Sequence, residues 1–184
     1  MTQIYSTQND LLLHNLLDFY KVDNNMDKML QIINGESKIS LRIIDWFATN
    51  YAKKYYTVYQ LEGVNQPRFK VYNDYKLKLK AYSKRRFDPF CRWDRITVPY
   101  NEDSHIQTTI GQLNFFKWAL EHDVVNYIEQ NYSNIEKDMN NRNSTSKNKT
   151  VDSKNKTRKK REELSISATR SIKKEKVEIV VKFD

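Results

Sequence analysis

Apolar positions recur at helical spacing through most of the first two-thirds of the chain. Leu11, Leu12, Leu13, Leu16, Leu17, Phe19 and Tyr20 form one band, with Thr7 or Asn9 available as its cap. Asn25 opens a shorter segment, Met26 to Ile33, which Gly35 can close in the left-handed conformation. Ser40 can cap a third helix, in which Ile44, Phe47, Ala48 and Tyr51 repeat at three and four while Ile43 and Trp46 widen the band. The period then changes. Tyr56–Leu61 and Arg68–Tyr72 are alternating β-branched and aromatic runs around the turn-rich residues Glu62–Pro67, a pattern that predicts a hairpin. Within Tyr75–Tyr82, Lys76-Leu77-Lys78-Leu79-Lys80 alternates like a strand. Leu, Lys and Ala are nevertheless helix formers, and Asp74 is a candidate cap, so a helix is expected.

Pro89 pushes Asp88 out of the helical region and stops that helix. Ile96–Tyr100 reads as a short edge strand, because Pro99 cannot donate to a ladder. Thr109 and Gln112 resemble a capping box before Leu113, Phe116, Ala119 and Leu120. Val124, Tyr127, Ile128, Ile135 and Met139 continue the pattern, as two helices or as one bent near His122–Asp123. Asn140–Arg161 holds no aromatic residue and one aliphatic, Val151, so it cannot bury enough surface to offset its ordering entropy and is expected to be disordered. Leu164–Ala168 and Val177–Phe183 look structured again, the second as a strand docking on the body. The expected fold class is α+β: a helical N-terminal layer and the helices of the C-terminal half packed on a small antiparallel sheet, with one disordered basic loop. The expected organisation is a mixed body at 1–139, a flexible basic linker at 140–163 and a C-terminal segment at 164–184.

Composition narrows the classes. Of 184 residues 12% are aromatic, enough for a core, while three Gly and three Pro argue against a Gly-rich phosphate loop or a turn-dense all-β fold. The opening MTQIYSTQNDLLLHNLL has no basic n-region, no run approaches 18 apolar residues, and Cys91 is the single cysteine. No signal peptide, membrane span or disulfide framework is expected, and the reading is intracellular. Lys, Asn, Ile and Tyr together make 66 residues, all with AT-rich codons, so scattered lysines carry little functional weight and clustered ones carry more.

The charge is clustered. The net is +9, yet residues 1–140 carry 18 basic against 17 acidic residues. Arg68–Arg95 holds ten Lys and Arg against three Asp, and Asn140–Glu163 holds nine basic against three acidic residues. A chain so polarised can lay one face on nucleic acid or another polyanion, releasing condensed counterions. The expected phosphate contacts are Lys84, Arg85, Arg86, Arg92 and Arg95 from the body, and Arg158, Lys159, Lys160 and Arg161 from the loop. Tyr82, Phe87, Phe90 and Trp93, interleaved with the first cluster, could stack on bases or support the cations. Lys159-Lys160-Arg161 also resembles a nuclear-localisation patch.

Catalytic and metal chemistry find less support. Cys91, His14, His105 and His122 lack the paired spacing of a zinc site, and neither metal nor cofactor is expected. Cys91, with Arg86 and Arg92 nearby, is a conceivable nucleophile, and Asp88 could meet Asp45, Asp94 or Glu121 as an acid–base pair. A packed cysteine and local ion pairs are the simpler readings, and the chain is not expected to be an enzyme.

Ser40–Lys54 (SLRIIDWFATNYAKK), Tyr72–Arg92 (YNDYKLKLKAYSKRRFDPFCR), Thr109–Leu120 (TIGQLNFFKWAL) and Arg158–Asp184 together resemble a group of small uncharacterised proteins of nucleocytoplasmic large DNA viruses, the giant-virus lineage. The resemblance implies viral origin and expression in a cytoplasmic factory or nucleus of the host, with packaging in the virion as one fate. The expected function is a non-enzymatic viral accessory protein of virion or replication factory that binds nucleic acid through its basic clusters. The alternative is a structural or minor capsid component contacting acidic surfaces of other virion proteins. The third is an enzyme using Cys91 or Asp88.

Overall fold

The structure is a computed structural model that describes residues 7–61, 68–101, 104–148 and 173–176. Helix α1 (Gln8–Tyr20) starts at a reciprocal cap: the Thr7 hydroxyl accepts the Asp10 N–H and the Asp10 carboxylate accepts the Thr7 N–H. Helix α2 (Asn25–Asn34) ends at Gly35, whose φ of 78° is the left-handed stop its position predicts. Ser40 caps α3 (Leu41–Trp46), as expected. The helix then widens into a π-turn at Phe47–Tyr51 before resuming as α4 (Ala52–Lys54). The Thr49 hydroxyl donates back to the Asp45 carbonyl one turn earlier, at 2.7 Å.

The hairpin is present but short. β1 (Val58–Tyr59) pairs antiparallel with β2 (Phe69–Lys70), and α5 (Val71–Phe87) follows at once. Val71 and Tyr72, expected in the strand, are helical because Val71 is buried and its N–H is taken by the Thr57 carbonyl at 3.3 Å. Residue 74 is therefore no cap. The cap position is Lys70, and the Asp74 carboxylate accepts the Trp118 indole N–H at 2.7 Å.

Helix α6 (Ile110–Glu121) is apolar nearly all round, with Leu113, Phe115, Phe116, Trp118 and Ala119 buried, which makes it the centre of the core. α1 packs on it, its Tyr20 hydroxyl donating to the Leu113 carbonyl at 2.7 Å. α5 runs antiparallel to it, pinned by Asp74–Trp118 at one end and by the Asn114 amide on the Arg86 carbonyl, 2.9 Å, at the other. Gly111 permits this approach: a Cβ there would lie 3.0 Å from the Asp88 carbonyl oxygen and 3.1 Å from that of Arg85. Thr109 caps α6 through the Gln112 N–H, and the helical stretch after it breaks at His122–Asp123 into α7 (Val124–Gln130) and again at Asn131 into α8 (Tyr132–Asn148).

A three-stranded antiparallel sheet has the order β3 (Ile96–Asn101), β4 (Ser104–Thr108), β5 (Lys173–Lys176). β3 is the edge strand its proline predicts, with Val98 opposite Ile106, both buried, and an irregular register between Pro99 and Asn101. The α+β class is as expected. Two boundaries differ. α8 continues to Asn148, so residues 140–148, expected in the disordered linker, are helical. Buried Ile135 and Met139 hold the preceding turns, and each further residue then adds one hydrogen bond at little cost. The described C-terminal strand that docks on the body is Lys173–Lys176; the strand expected at Val177–Phe183, the segment Leu164–Ala168 and residues 149–163 lie outside the described residues. Among the described residues no helix is long and apolar enough to cross a membrane.

Candidate nucleic-acid interface

The basic run of α5 is solvent-facing because its apolar partners are few: Val71, Tyr75 and Phe87 point into the core, leaving Lys76, Lys80, Lys84 and Arg85 exposed. Lys76, Lys80 and Lys84 line one groove of about 800 Å³ with Tyr72, Leu77 and Leu79. Leu77 on that groove is 65% exposed. Tyr72, at the head of the groove, lies under the Lys53 ammonium, 5.6 Å from its ring centre. Ser83, also on the groove, breaks the helix with φ 65° and ψ 167°, a conformation essentially reserved for glycine. Lys84, Arg85 and Arg86 follow that break, in the short turn that ends at Phe87.

The predicted contact residues are not equivalent. Lys84, Arg85, Arg92 and Arg95 are exposed, whereas Arg86 is half-buried and its guanidinium reaches the Gln8 side chain at 3.4 Å. The Arg85 guanidinium lies over Trp93, 3.9 Å from the ring centre. Phe87 is fully buried, with Tyr82 stacked on it at 6.2 Å, so of the four interleaved aromatics only Trp93 is exposed and it already carries Arg85. Arg158, Lys159, Lys160 and Arg161 lie outside the described residues.

The groups weighed for catalysis take structural partners. The Asp88 carboxylate accepts the Phe90 N–H at 2.9 Å, and the Asp88 carbonyl accepts the Cys91 N–H at 3.1 Å, so FDPFC is a hydrogen-bonded turn. His14 faces Asp18 at 3.2 Å, and His122 stacks on Phe69 at 4.6 Å. Among the described residues no group of three or more His, Cys, Asp or Glu could hold a metal ion. Asp45 is linked to Asp88 only through the electrostatics of its own carboxyl. Burial pushes the Asp45 carboxyl up to about 7, and the nearby Asp88 charge adds to the shift.

The family profile of DUF7197, a family of unknown function, matches residues 2–184. The chain belongs to that family. It is 44% identical over 117 residues to Uncharacterized protein L507 of Acanthamoeba polyphaga mimivirus, a stretch covering 60% of this chain. The same stretch is 45% of that protein, so the match spans less than half the length of this curated relative. No solved structure matches the chain. The giant-virus lineage expected from the Ser40, Tyr72 and Thr109 blocks is borne out.

In this DUF7197 protein a buried polar cluster lies away from α5, and nothing in the sequence expectations named it. Asp138 of α8 is nine-tenths buried and accepts from the Trp46 indole N–H at 3.2 Å, from the Lys54 ammonium, and from the Tyr55 hydroxyl at 3.3 Å. Burial pushes the Asp138 carboxyl up, but the bonds from Lys54 and Trp46 outweigh it and hold the group below the usual carboxylate range. The signal available in the sequence was a polar stripe at 134, 137, 138, 141 and 142, between the apolar Ile135 and Met139.

Proposed function

We propose that this DUF7197 protein is a non-enzymatic viral accessory protein of the virion or replication factory that binds nucleic acid along α5. The observation that carries the reading is that Lys76, Lys80 and Lys84 line one groove, with Arg85, Arg92 and Arg95 also exposed. Cations along a helix edge match a phosphate backbone without reading bases, so the binding is non-specific in sequence. Trp93, held under Arg85, fixes that guanidinium rather than stacking on a base. Arg158, Lys159, Lys160 and Arg161 add further phosphate contacts.

The test is a salt titration of binding to duplex and single-stranded oligonucleotides. With duplex, replacing Lys76, Lys80 and Lys84 by Gln lowers the slope of log K against log salt by about 3, at about 0.9 per lost contact. The same variant changes stability by less than about 0.5 kcal/mol, because all three side chains are solvated. No binding by the natural chain at low ionic strength overturns the reading.

A second reading is favoured by a different observation. The exposed Leu77, with Leu79 in the same groove, gives the basic rim an apolar floor, which suits an acidic, partly apolar surface of another virion protein. Mass spectrometry of purified particles places the chain inside or outside the virion, and a Leu77→Ser variant that loses particle association while keeping oligonucleotide binding supports this second role.

A further inference from the structure

Helices α2 and α4 end in the same turn, with different residues at its critical position. After α2 the Glu36 N–H reaches back to the Gln31 carbonyl at 2.9 Å, and Gly35 just before it has φ 78°. After α4 the Thr57 N–H reaches back to the Ala52 carbonyl at 3.1 Å, and Tyr56 just before it has φ 47°. Glycine is preferred at this position because a β-carbon is disfavoured in the left-handed conformation. A tyrosine there weakens the turn, and its ring does not compensate by packing. Tyr56 is 66% exposed, and among the described residues its side chain has no hydrogen bond, ring contact or cation over it. The rings around it are occupied. In the cleft between the π-turn segment and α8, lined by Lys54, Lys137, Asp138 and Arg142, Tyr55 lies under the Lys54 ammonium at 4.6 Å and against Tyr51 at 4.5 Å. Tyr72 lies under Lys53.

Two contacts fix where Tyr56 stands. The Thr57 carbonyl accepts the N–H of Val71, the first residue of α5, at 3.3 Å, and the Lys53 ammonium lies 5.6 Å from the Tyr72 ring centre. Tyr56 lies between Lys53 and Thr57 in the chain, so it is held at the head of the α5 groove, the end that Tyr72 lines, ahead of Lys76, Lys80 and Lys84. Among the described residues these three lysines form no ion pair. A strand whose phosphates lie along them runs towards Tyr56 at one end. In a duplex the faces of the bases are closed by stacking and pairing; in a single strand they are open, and an exposed ring stacks on any of them. We propose that Tyr56 stacks on an unpaired base of a strand bound along α5, giving single-stranded nucleic acid a contact that duplex does not make. The proposal rests on phosphate binding along α5 and adds the class of strand to it.

The test is titration of the full chain, at low salt, with a fluorescent oligothymidylate and with a duplex of the same length. Tyr56→Gly weakens the oligothymidylate by at least about fivefold, the low end for one base–aromatic stack, and leaves the duplex within about twofold. It melts at the temperature of the natural chain or higher, because glycine adopts this backbone without strain. Tyr56→Asn, whose side chain also tolerates the left-handed conformation, shows the same loss without the added backbone freedom. Tyr56→Phe keeps the affinity for both ligands, since stacking does not need the hydroxyl. Replacing Lys76, Lys80 and Lys84 together by Gln weakens both ligands. If that lysine variant weakens binding while Tyr56→Gly and Tyr56→Asn leave the oligothymidylate unchanged, or weaken both ligands alike, phosphate binding along α5 stands and the stacking is overturned. No binding of either ligand by the natural chain overturns both. A lower melting temperature in both the Gly and Asn variants also overturns the stacking, because the ring is then anchored in the fold.

Discussion

The α5 edge and the Asp138 cleft are both cationic, yet they are built on opposite principles. On α5 Lys76, Lys80 and Lys84 are solvated, and their placement follows from helical spacing, interrupted at Ser83. In the cleft, one buried carboxylate ties together an indole, an ammonium and a phenol from a segment 83 to 92 residues away. The first arrangement suits a ligand of repeating charge, where each contact adds a similar increment. The second is an internal network, whose donors are already oriented by the carboxylate they share. Charge density is therefore a poor guide to organisation in this molecule.

The largest effect is expected where the organisation is removed. Asp138→Ala leaves the Trp46 indole and the Tyr55 hydroxyl without their acceptor and should cost about 2–3 kcal/mol in urea unfolding. Lys54 is exposed enough to turn to water, which keeps the loss from being larger. The pH dependence gives an independent check. A carboxyl held below its unfolded value stabilises the fold above that value, and the contribution disappears as pH falls through the folded-state pKa. The natural chain should thus lose stability at acid pH in part through Asp138, and the variant should show a flatter acid limb. A variant as stable as the natural chain would place the cleft in the same loosely held class as α5.

Asp45 lies at the seam between the regions, next to Trp46, which donates to Asp138, yet interacting electrostatically with Asp88 and Tyr75 on the α5 side. Its sign is opposite to that of Asp138. With a folded-state value of about 7, the native protein binds a proton that the unfolded chain has released between about pH 4 and about pH 7. Stability therefore falls as pH rises through that window and is level above it. The full shift corresponds to about 4 kcal/mol, and partial solvation of the group reduces this to about 1–2 kcal/mol. Asp45→Asn should gain that amount at pH 8 and nothing at pH 4, measured by the urea midpoint at each pH. An equal gain at both values would mean that packing, not protonation, separates the two side chains.

Much of the fold was legible because its signals are local. Thr7, Ser40, Gly35 and Thr109 mark helix ends by capping chemistry that needs only a few neighbouring residues, and Pro99 marks an edge for the same reason. The basic edge of α5 was legible too, since a run of lysines is visible without a fold. The cleft was not, because Asp138 acquires its partners through long-range packing that no spacing records. The π-turn was equally hidden: Phe-Ala-Thr-Asn-Tyr carries no sequence mark of a one-residue insertion. The helical reach of α8 past Met139 was missed because composition argued disorder, while the anchoring lay one turn earlier.

The smallest effect tests whether the α5 edge has any built feature of its own, and Ser83 is the residue to ask. Its φ of 65° and ψ of 167° cost a serine about 1–3 kcal/mol, and glycine adopts them freely. Ser83→Gly gives back part of its gain through the greater entropy of the unfolded chain, leaving a net stabilisation of about 1 kcal/mol. The urea midpoint should rise with the m-value unchanged. Because Lys84 and Lys80 flank the kink on the groove, oligonucleotide affinity measured on the same variant carries the second half of the answer. Glycine keeps the bend but loosens it, so an affinity loss of a few-fold alongside the gain in stability would show that the strain positions Lys84. Unchanged affinity would leave α5 as the solvated, spacing-defined counterpart of the cleft.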